Sequence, residues 1–226
     1  MMNLKKAAAE KAVEFIESGM VVGLGTGSTA AFAVEKIGEL IKAGKLNNIK
    51  GIPSSVQTEM LAKQAGIPLT NFDKDPVIDL TIDGADEVDE NLNLIKGGGG
   101  ALLREKVLAQ ASKINIIIVD ESKISKRLGE KWAAPIEVIR FASAVEERFL
   151  QSLGAKTELR ADEKCRIVVT DENNWIIDAN FGALENPDEL ARSLENRAGI
   201  VEHGLFIGLA HKVIVASESG IKILEK

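Results

Sequence analysis

The sequence predicts an α/β protein, a Rossmann-like doubly wound sheet with a second, smaller α+β domain, and three observations carry that prediction. Through residue 120, short continuous apolar runs suited to buried parallel strands alternate with stretches of helical spacing. Glycine-rich turns stand where strands hand over to helices, at 23–27 and 97–100. From about Lys131 the texture changes to strand runs with fewer helices between them, and short apolar strands return in the tail.

In order, residues 4–16 read as helix, 20–25 as strand, 29–41 as helix, 49–52 as strand and 56–65 as helix. The runs 77–83 and 114–120 read as buried strands, with the helix 101–111 between them. On that helix Leu103, Val107 and Ala111 share a stripe that predicts the core face, with Glu105 about 200° around from Leu103 and Val107. Strand 136–139, helix 144–153, strands near 166–170 and 175–179, and helix 188–198 follow. Asp171, Glu172, Asn173 and Asn174 read as the loop of a hairpin. The tail runs 212–216 and 221–224 are short apolar strands able to rejoin the first sheet, a return that the sequence alone does not prove. The expected division is residues 1–130 with 205–226 as the catalytic domain, and 131–204 as a smaller domain involved in oligomerisation.

With 226 residues, 45% of them hydrophobic and 27% charged, the chain is long enough for one large domain or two smaller ones with real cores. No apolar stretch approaches bilayer-spanning length, so no membrane partner is expected. The first residues mix Lys5, Lys6, Glu10, Lys11 and Glu14 with alanines at helical intervals and lack a secretory apolar core, which predicts a cytoplasmic protein. Cys165 is the single cysteine, so neither an intrachain disulfide framework nor a cysteine-based zinc site is expected. A formal net charge of −6 and a pI near 5.2, without a basic stripe, argue against nucleic acid as partner. An anionic ligand must then be held locally.

Three segments carry chemistry. Gly25, Thr26, Gly27, Ser28 and Thr29 follow a strand and open a helix, which aims free N–H groups and small hydroxyls at a phosphate-sized guest. The lysine of a P-loop is missing there, which disfavours nucleoside triphosphates. Asp83, Gly84, Ala85 and Asp86 sit at the end of an apolar strand, where open α/β sheets place ligands, and a turn at Gly84 brings both carboxylates toward one sugar-sized molecule. Glu87, Asp89 and Glu90 are expected to stay solvated, and no metal is expected, since the order of acids is not that of a calcium loop. Lys96 with Gly97, Gly98, Gly99 and Gly100 precedes Glu105, and four glycines in a row cost conformational entropy that close approach of backbone to a ligand would justify, the alternative being a flexible loop before an ordinary solvated glutamate. Together these groups suit proton transfer beside a carbonyl: a glutamate takes a proton from one carbon and returns it to the next, while a lysine and N–H groups hold the enediolate oxygen. Ser54 and Ser55 follow Pro53 at a strand end, where they cap the next helix or line the cleft. His203 and His211 read as structural, Trp132 and Trp175 as filling cores or a subunit contact, and Cys165 as a buried or semi-exposed small side chain.

The strings GTGSTA, SSVQTE, DGADEVD and KGGGGALLREK, all within residues 25–106, closely resemble the signatures of the ribose-5-phosphate isomerase A family, and the FIGLA segment at 206–210 extends the resemblance through the C-terminal region. The resemblance implies an aldose–ketose isomerase that interconverts ribose 5-phosphate and ribulose 5-phosphate through a cis-enediolate, in the non-oxidative pentose phosphate pathway. It implies no metal, no cofactor, and a homodimer or homotetramer. By the same resemblance Glu105 is the catalytic base, Asp83 and Asp86 with Gly84 and Ala85 contact sugar hydroxyls, and Lys96 stabilises the enediolate oxygen. Gly97, Gly98 and Gly99 supply backbone contacts, Thr26, Gly27, Ser28 and Thr29 form the substrate loop, Lys123 is a further substrate-binding lysine, and Lys5 reaches the phosphate. A nicotinamide-dependent dehydrogenase is opposed by the Gly23, Gly25, Gly27 spacing, which fails the dinucleotide fingerprint. A noncatalytic sugar-phosphate sensor, as in DeoR-type repressors, has no evident need of Glu105 beside Lys96. An acyl-CoA transferase rests on fold analogy alone.

Overall fold

The computed structural model describes residues 3–225; residues 1, 2 and 226, which fall inside the expected boundaries of the first domain, lie outside the described residues. The first half of the chain forms α1 (Leu4–Val13), β1 (Val21–Leu24), α2 (Ser28–Lys42), β2 (Lys50–Pro53), α3 (Val56–Ala65) and β3 (Ile78–Gly84). Two short strands β4 (Glu87–Val88) and β5 (Leu94–Ile95) precede α4 (Leu102–Ala111) and β6 (Ser112–Asp120). Then come β7 (Ala134–Val138), α5 (Ser143–Ser152), β8 (Lys156–Leu159), β9 (Trp175–Asn180) and α6 (Pro187–Glu195). The last strands are β10 (Ile200–His203), β11 (Leu205–Phe206), β12 (Lys212–Ser217) and β13 (Gly220–Glu225).

Two compact units result: one from residues up to Ala85, Arg104–Lys123 and from Gly208 on, the other from Asp86–Leu103 and Ile124–Ile207. The first unit is a six-stranded sheet of order β13-β12-β6-β3-β1-β2, parallel except for β13. Burial follows the apolar runs: Ile116, Ile117 and Ile118 of β6 are fully covered, as expected of strands with neighbours on both faces. Helix α2 buries Ala30, Ala33, Val34, Ile37 and Gly38, the spacing of one helical face. Helix α1 contributes Ala8, Ala9, Ala12 and Val13 to the same core. The tail strands do rejoin this sheet, β12 pairing parallel to β6 and β13 closing a hairpin on β12. No helix among the described residues is long and apolar enough to cross a membrane.

The second unit holds a four-stranded antiparallel sheet, β10-β7-β9-β8, and a small three-stranded one, β11-β5-β4. Residues 166–170, expected as a strand, make only single bridges, Ala161 to Ile167 and Val169 to Trp175. Asp162 explains the difference: its carboxylate accepts the N–H groups of Lys164 and Arg166 and bends the chain there, with Cys165 at φ 58° and its side chain exposed rather than buried. The edge position is taken by the polar β8, whose Lys-Thr-Glu-Leu sequence carries no apolar run. Helix α6 stops at Glu195 rather than continuing to 198, and Arg197 turns to pair with Glu146.

Two acids expected in solvent are buried. Glu87 accepts backbone N–H groups from Gly129 (2.9 Å), Lys131 (3.1 Å) and Trp132 (3.3 Å), which ties down the 129–132 turn. Asp89 accepts from the N–H groups of Asn91 (2.9 Å) and Asn93 (2.8 Å) and closes the β4–β5 connection. Glu90 is exposed as expected. Charge alone predicted solvation; a carboxylate that accepts several N–H bonds is instead a loop organiser.

Glu137, in the middle of β7, is also buried, and burial pushes its carboxyl pKa up while Asn174 and Thr170, both bonded to Oε1, oppose the rise. A carboxyl with a folded-state pKa above its unfolded one stabilises fully only below the unfolded value and loses that contribution as pH climbs through the folded one. Glu137→Gln keeps the Oε1 acceptor and removes the charge. Thermal melts are expected to show the variant a few degrees more stable at pH 7, the gain vanishing near pH 4; a variant less stable at pH 7 contradicts this reading.

Candidate active site

The strands β2, β1, β3, β6 and β12 run parallel, so the segments that follow them leave from one edge of the first unit's sheet. After β1 the chain passes so close to β3 that a Cβ on Gly25 would lie 2.2 Å from Asp83 Oδ1 and 2.6 Å from Asp83 Cα, so only glycine fits. Gly27, at φ 104°, then starts α2 without a side-chain cap, leaving the helix N-terminus to attract an anion. Lys5, reaching from α1, donates from Nζ to Ser28 Oγ at 2.9 Å, which brings a cation to the same turn. Gly27 and Ser28 are exposed and Thr29 is half-buried.

Thr26 has a different job from its neighbours. Its N–H donates to Asp83 Oδ1 at 3.1 Å, and its hydroxyl donates to Ser55 Oγ at 2.8 Å and stands 2.7 Å from Ser54 Oγ. Ser55 passes the chain to Thr58 Oγ1 (3.0 Å), which donates to the Gly25 carbonyl (3.0 Å). Both donors of Thr26 are therefore engaged within the protein, holding the loop to Asp83. Ser55 also caps α3 by accepting the Thr58 N–H, and Ser54 is fully buried beneath Thr26, so the serine pair caps a helix and braces the loop.

Asp83, at the end of β3, is 2% exposed, and its Oδ1 also accepts the Gly84 N–H at 2.7 Å. Lys123 ends the short turn after β6 and is half-buried. Glu105 is 4% exposed on α4, but the helix is oriented differently from the stripe expected: Leu102, Glu105, Lys106, Leu108 and Ala109 are buried, whereas Val107 is exposed. Glu105 thus lies on a covered face with Leu102 and Ala109 at i−3 and i+4, because the apolar residues alone do not define the buried stripe of this short helix.

In the second unit, Lys96 follows β5 with 3% exposure, its N–H donating to the Gly204 carbonyl (2.9 Å) and its Nζ lying 5.5 Å from the centroid of the Phe206 ring. Asp86 Oδ2 accepts the Gly98 N–H at 2.7 Å, and a Cβ on Gly98 would sit 2.7 Å from Asp86 Oδ1. Gly97, at φ 102°, begins the turn, and Gly98 and Gly99 are exposed. Arg160, which no sequence signal singled out, donates from Nη1 to the carbonyls of Gly97 (2.7 Å) and Gly98 (3.2 Å). It lies in a polar stretch, and only the folded chain brings its guanidinium to the Gly97–Gly98 loop.

In the first unit, the buried acids Asp83 and Glu105 and the free N–H groups at the start of α2 are of the types used for proton transfer on a phosphorylated small molecule by an α/β enzyme. Comparison with known proteins makes the class specific. The family model for ribose 5-phosphate isomerase A (phosphoriboisomerase A) matches residues 50–220. The chain is 60% identical over 219 residues to a ribose-5-phosphate isomerase A of Desulfatibacillum aliphaticivorans, covering 97% of this chain and 95% of the relative. Its structure matches a D-ribose-5-phosphate isomerase in complex with phospho-erythronic acid at TM-score 0.97 and 42% identity, with full coverage of both chains (100% and 100%). A ribose 5-phosphate isomerase A from Methanocaldococcus jannaschii matches at TM-score 0.94 and 41% identity over 99% of each chain. The chain belongs to the ribose 5-phosphate isomerase A family.

Proposed function

We propose that this chain interconverts ribose 5-phosphate and ribulose 5-phosphate, with Glu105 moving a proton between C2 and C1 through a cis-enediolate. The observation that carries the reading is the full-length match to an isomerase holding phospho-erythronic acid. That four-carbon phosphorylated acid has a planar, negatively charged carboxylate, the two properties an enediolate gains over the sugar.

In this reading the Glu105 carboxylate takes the C2 proton, the C–H electrons form the C1–C2 double bond, and O1 gains negative charge. Lys96 and the N–H groups of Gly97, Gly98 and Gly99 hold that charge. Asp83 and Asp86, with Gly84 and Ala85 between them, bind hydroxyls, assist ring opening and carry the proton that leaves O2 and the one that reaches O1. Glu105 then returns its proton to C1 and the C2 carbonyl forms, so every atom is conserved. Thr26, Gly27, Ser28 and Thr29 form the substrate loop, Lys123 is a further substrate-binding lysine, and Lys5 serves the phosphate. No metal or cofactor enters this scheme. The reading extends to a cytoplasmic homodimer or homotetramer assembled through the region 131–204; the exposed Phe141 (98%) and Val145 (59%) of the second unit support an apolar contact there.

The direct test is conversion of ribose 5-phosphate by the wild-type protein in EDTA, with sugar-phosphate binding measured in parallel. Turnover supports the isomerase; binding without turnover favours a noncatalytic sugar-phosphate sensor. Because Lys5 meets Ser28 at the start of α2, Lys5→Ala is expected to raise KM about tenfold with kcat changed less than about twofold, the signature of lost phosphate binding. A fall in kcat at unchanged KM contradicts that placement.

A further inference from the structure

We propose that Arg160 and Asp178 form a positioning pair that acts on Asp86 through the peptide joining Gly97 and Gly98; the proposal rests on the isomerase reading above. Arg160 follows β8 and Asp178 lies on the adjacent β9. The guanidinium donates through Nε to Asp178 Oδ2 at 2.8 Å and through Nη2 to Oδ1, a two-point contact that fixes its plane, and its side chain is only 14% exposed. The remaining nitrogen, Nη1, meets the Gly97 carbonyl at 2.7 Å and the Gly98 carbonyl at 3.2 Å.

The Gly97 carbonyl and the Gly98 N–H belong to one planar peptide unit. Its oxygen faces Arg160 and its hydrogen faces Asp86 Oδ2 at 2.7 Å, so a cation, a peptide and a carboxylate stand in sequence. A positive charge on the carbonyl oxygen draws electrons from nitrogen and makes the N–H a stronger donor, and hydrogen bonds in series strengthen one another. The second contact, on the Gly98 oxygen, polarises the Gly99 N–H in the same way.

Glycines on both sides of this peptide explain why a remote arginine is needed. Within the loop the Gly97 carbonyl accepts the Gly100 N–H at 3.0 Å, and with no Cβ at Gly97, Gly98 or Gly99 the backbone adds little intrinsic preference to that one turn bond. The freedom that lets the backbone approach a ligand also lets the Gly98 N–H leave Asp86. Arg160, anchored by Asp178, removes that freedom from outside the loop.

The test compares Arg160→Met, Arg160→Lys and Asp178→Asn with wild type, measuring kcat and KM for ribose 5-phosphate and the inhibition constant of phospho-erythronic acid. Arg160→Met is expected to lower kcat about 10- to 100-fold with KM within about threefold, because misplacing a loop group by an ångström acts mainly on the transition state. Arg160→Lys restores part of the loss, since a single ammonium reaches one carbonyl but not both, and Asp178→Asn gives a smaller decrease. Phospho-erythronic acid affinity falls in step with kcat. Wild-type kcat in Arg160→Met and Asp178→Asn, or a loss matched only by a smaller folded fraction, overturns the proposal. An inactive wild type overturns the isomerase reading instead, so the two failures are separable.

Discussion

Glu105→Gln is expected to lower kcat by about 1,000-fold, within the range that removal of a general base produces. Glutamine keeps the size and one acceptor of a side chain that is 4% exposed, so the melting temperature is expected to stay within a few degrees of wild type and KM to change little. What it lacks is the basic oxygen that the proposed mechanism needs for the C2 proton. In deuterium oxide, wild type is expected to incorporate deuterium at C2 of ribose 5-phosphate and the variant is not. Glu105→Asp retains a carboxylate withdrawn by one methylene and is expected to fall between the two. A folded Glu105→Gln protein with turnover within tenfold of wild type removes Glu105 from the role of base.

Lys96→Ala is expected to lower kcat by about 100- to 1,000-fold with a much smaller change in KM, because in the proposed mechanism the charge it faces develops chiefly in the transition state. The ammonium is nearly sealed from water and rests near the face of Phe206, so it acts in a low-dielectric surrounding where a fixed cation is worth more than in solvent. Lys96→Met keeps the aliphatic stem and separates packing from charge: it is expected to recover stability lost by alanine and to remain equally slow. Unchanged turnover with only a raised KM assigns Lys96 to ground-state binding.

Much of this molecule was legible in its sequence because local chemistry and global position agree there. The apolar runs that became β3 and β6 name themselves, and the acid at the end of β3 follows from where open α/β sheets place ligands. Legibility failed where partners are distant. Glu87 read as a solvated acid because the N–H groups that justify its burial belong to the 129–132 turn, more than 40 residues on, whereas Asp89 binds N–H groups of its own loop, at Asn91 and Asn93, a local turn signal that its charge masked. Val107 pointed the helix stripe the wrong way because Glu105 and Lys106 occupy the covered face in its place. Strands of two residues, β4, β5 and β11, are too short for any period to register, yet β5 delivers Lys96 and β11 supplies Phe206. Arg160 was invisible for the same reason: its partners lie some 60 residues away, at Gly97 and Gly98.

During synthesis, β6 emerges with β3 already available, whereas residues 121–211 must be made before its other neighbour, β12, exists. Throughout that interval the nascent chain presents an open row of N–H and C=O groups along Ile116, Ile117, Ile118 and Val119, the pattern through which strands of different chains join. The long segment 124–207 is translated in the meantime. Residues 112–120 are therefore the stretch of the nascent chain most open to pairing with another chain, and slowed translation across 124–207 lengthens the time for which that row stays open.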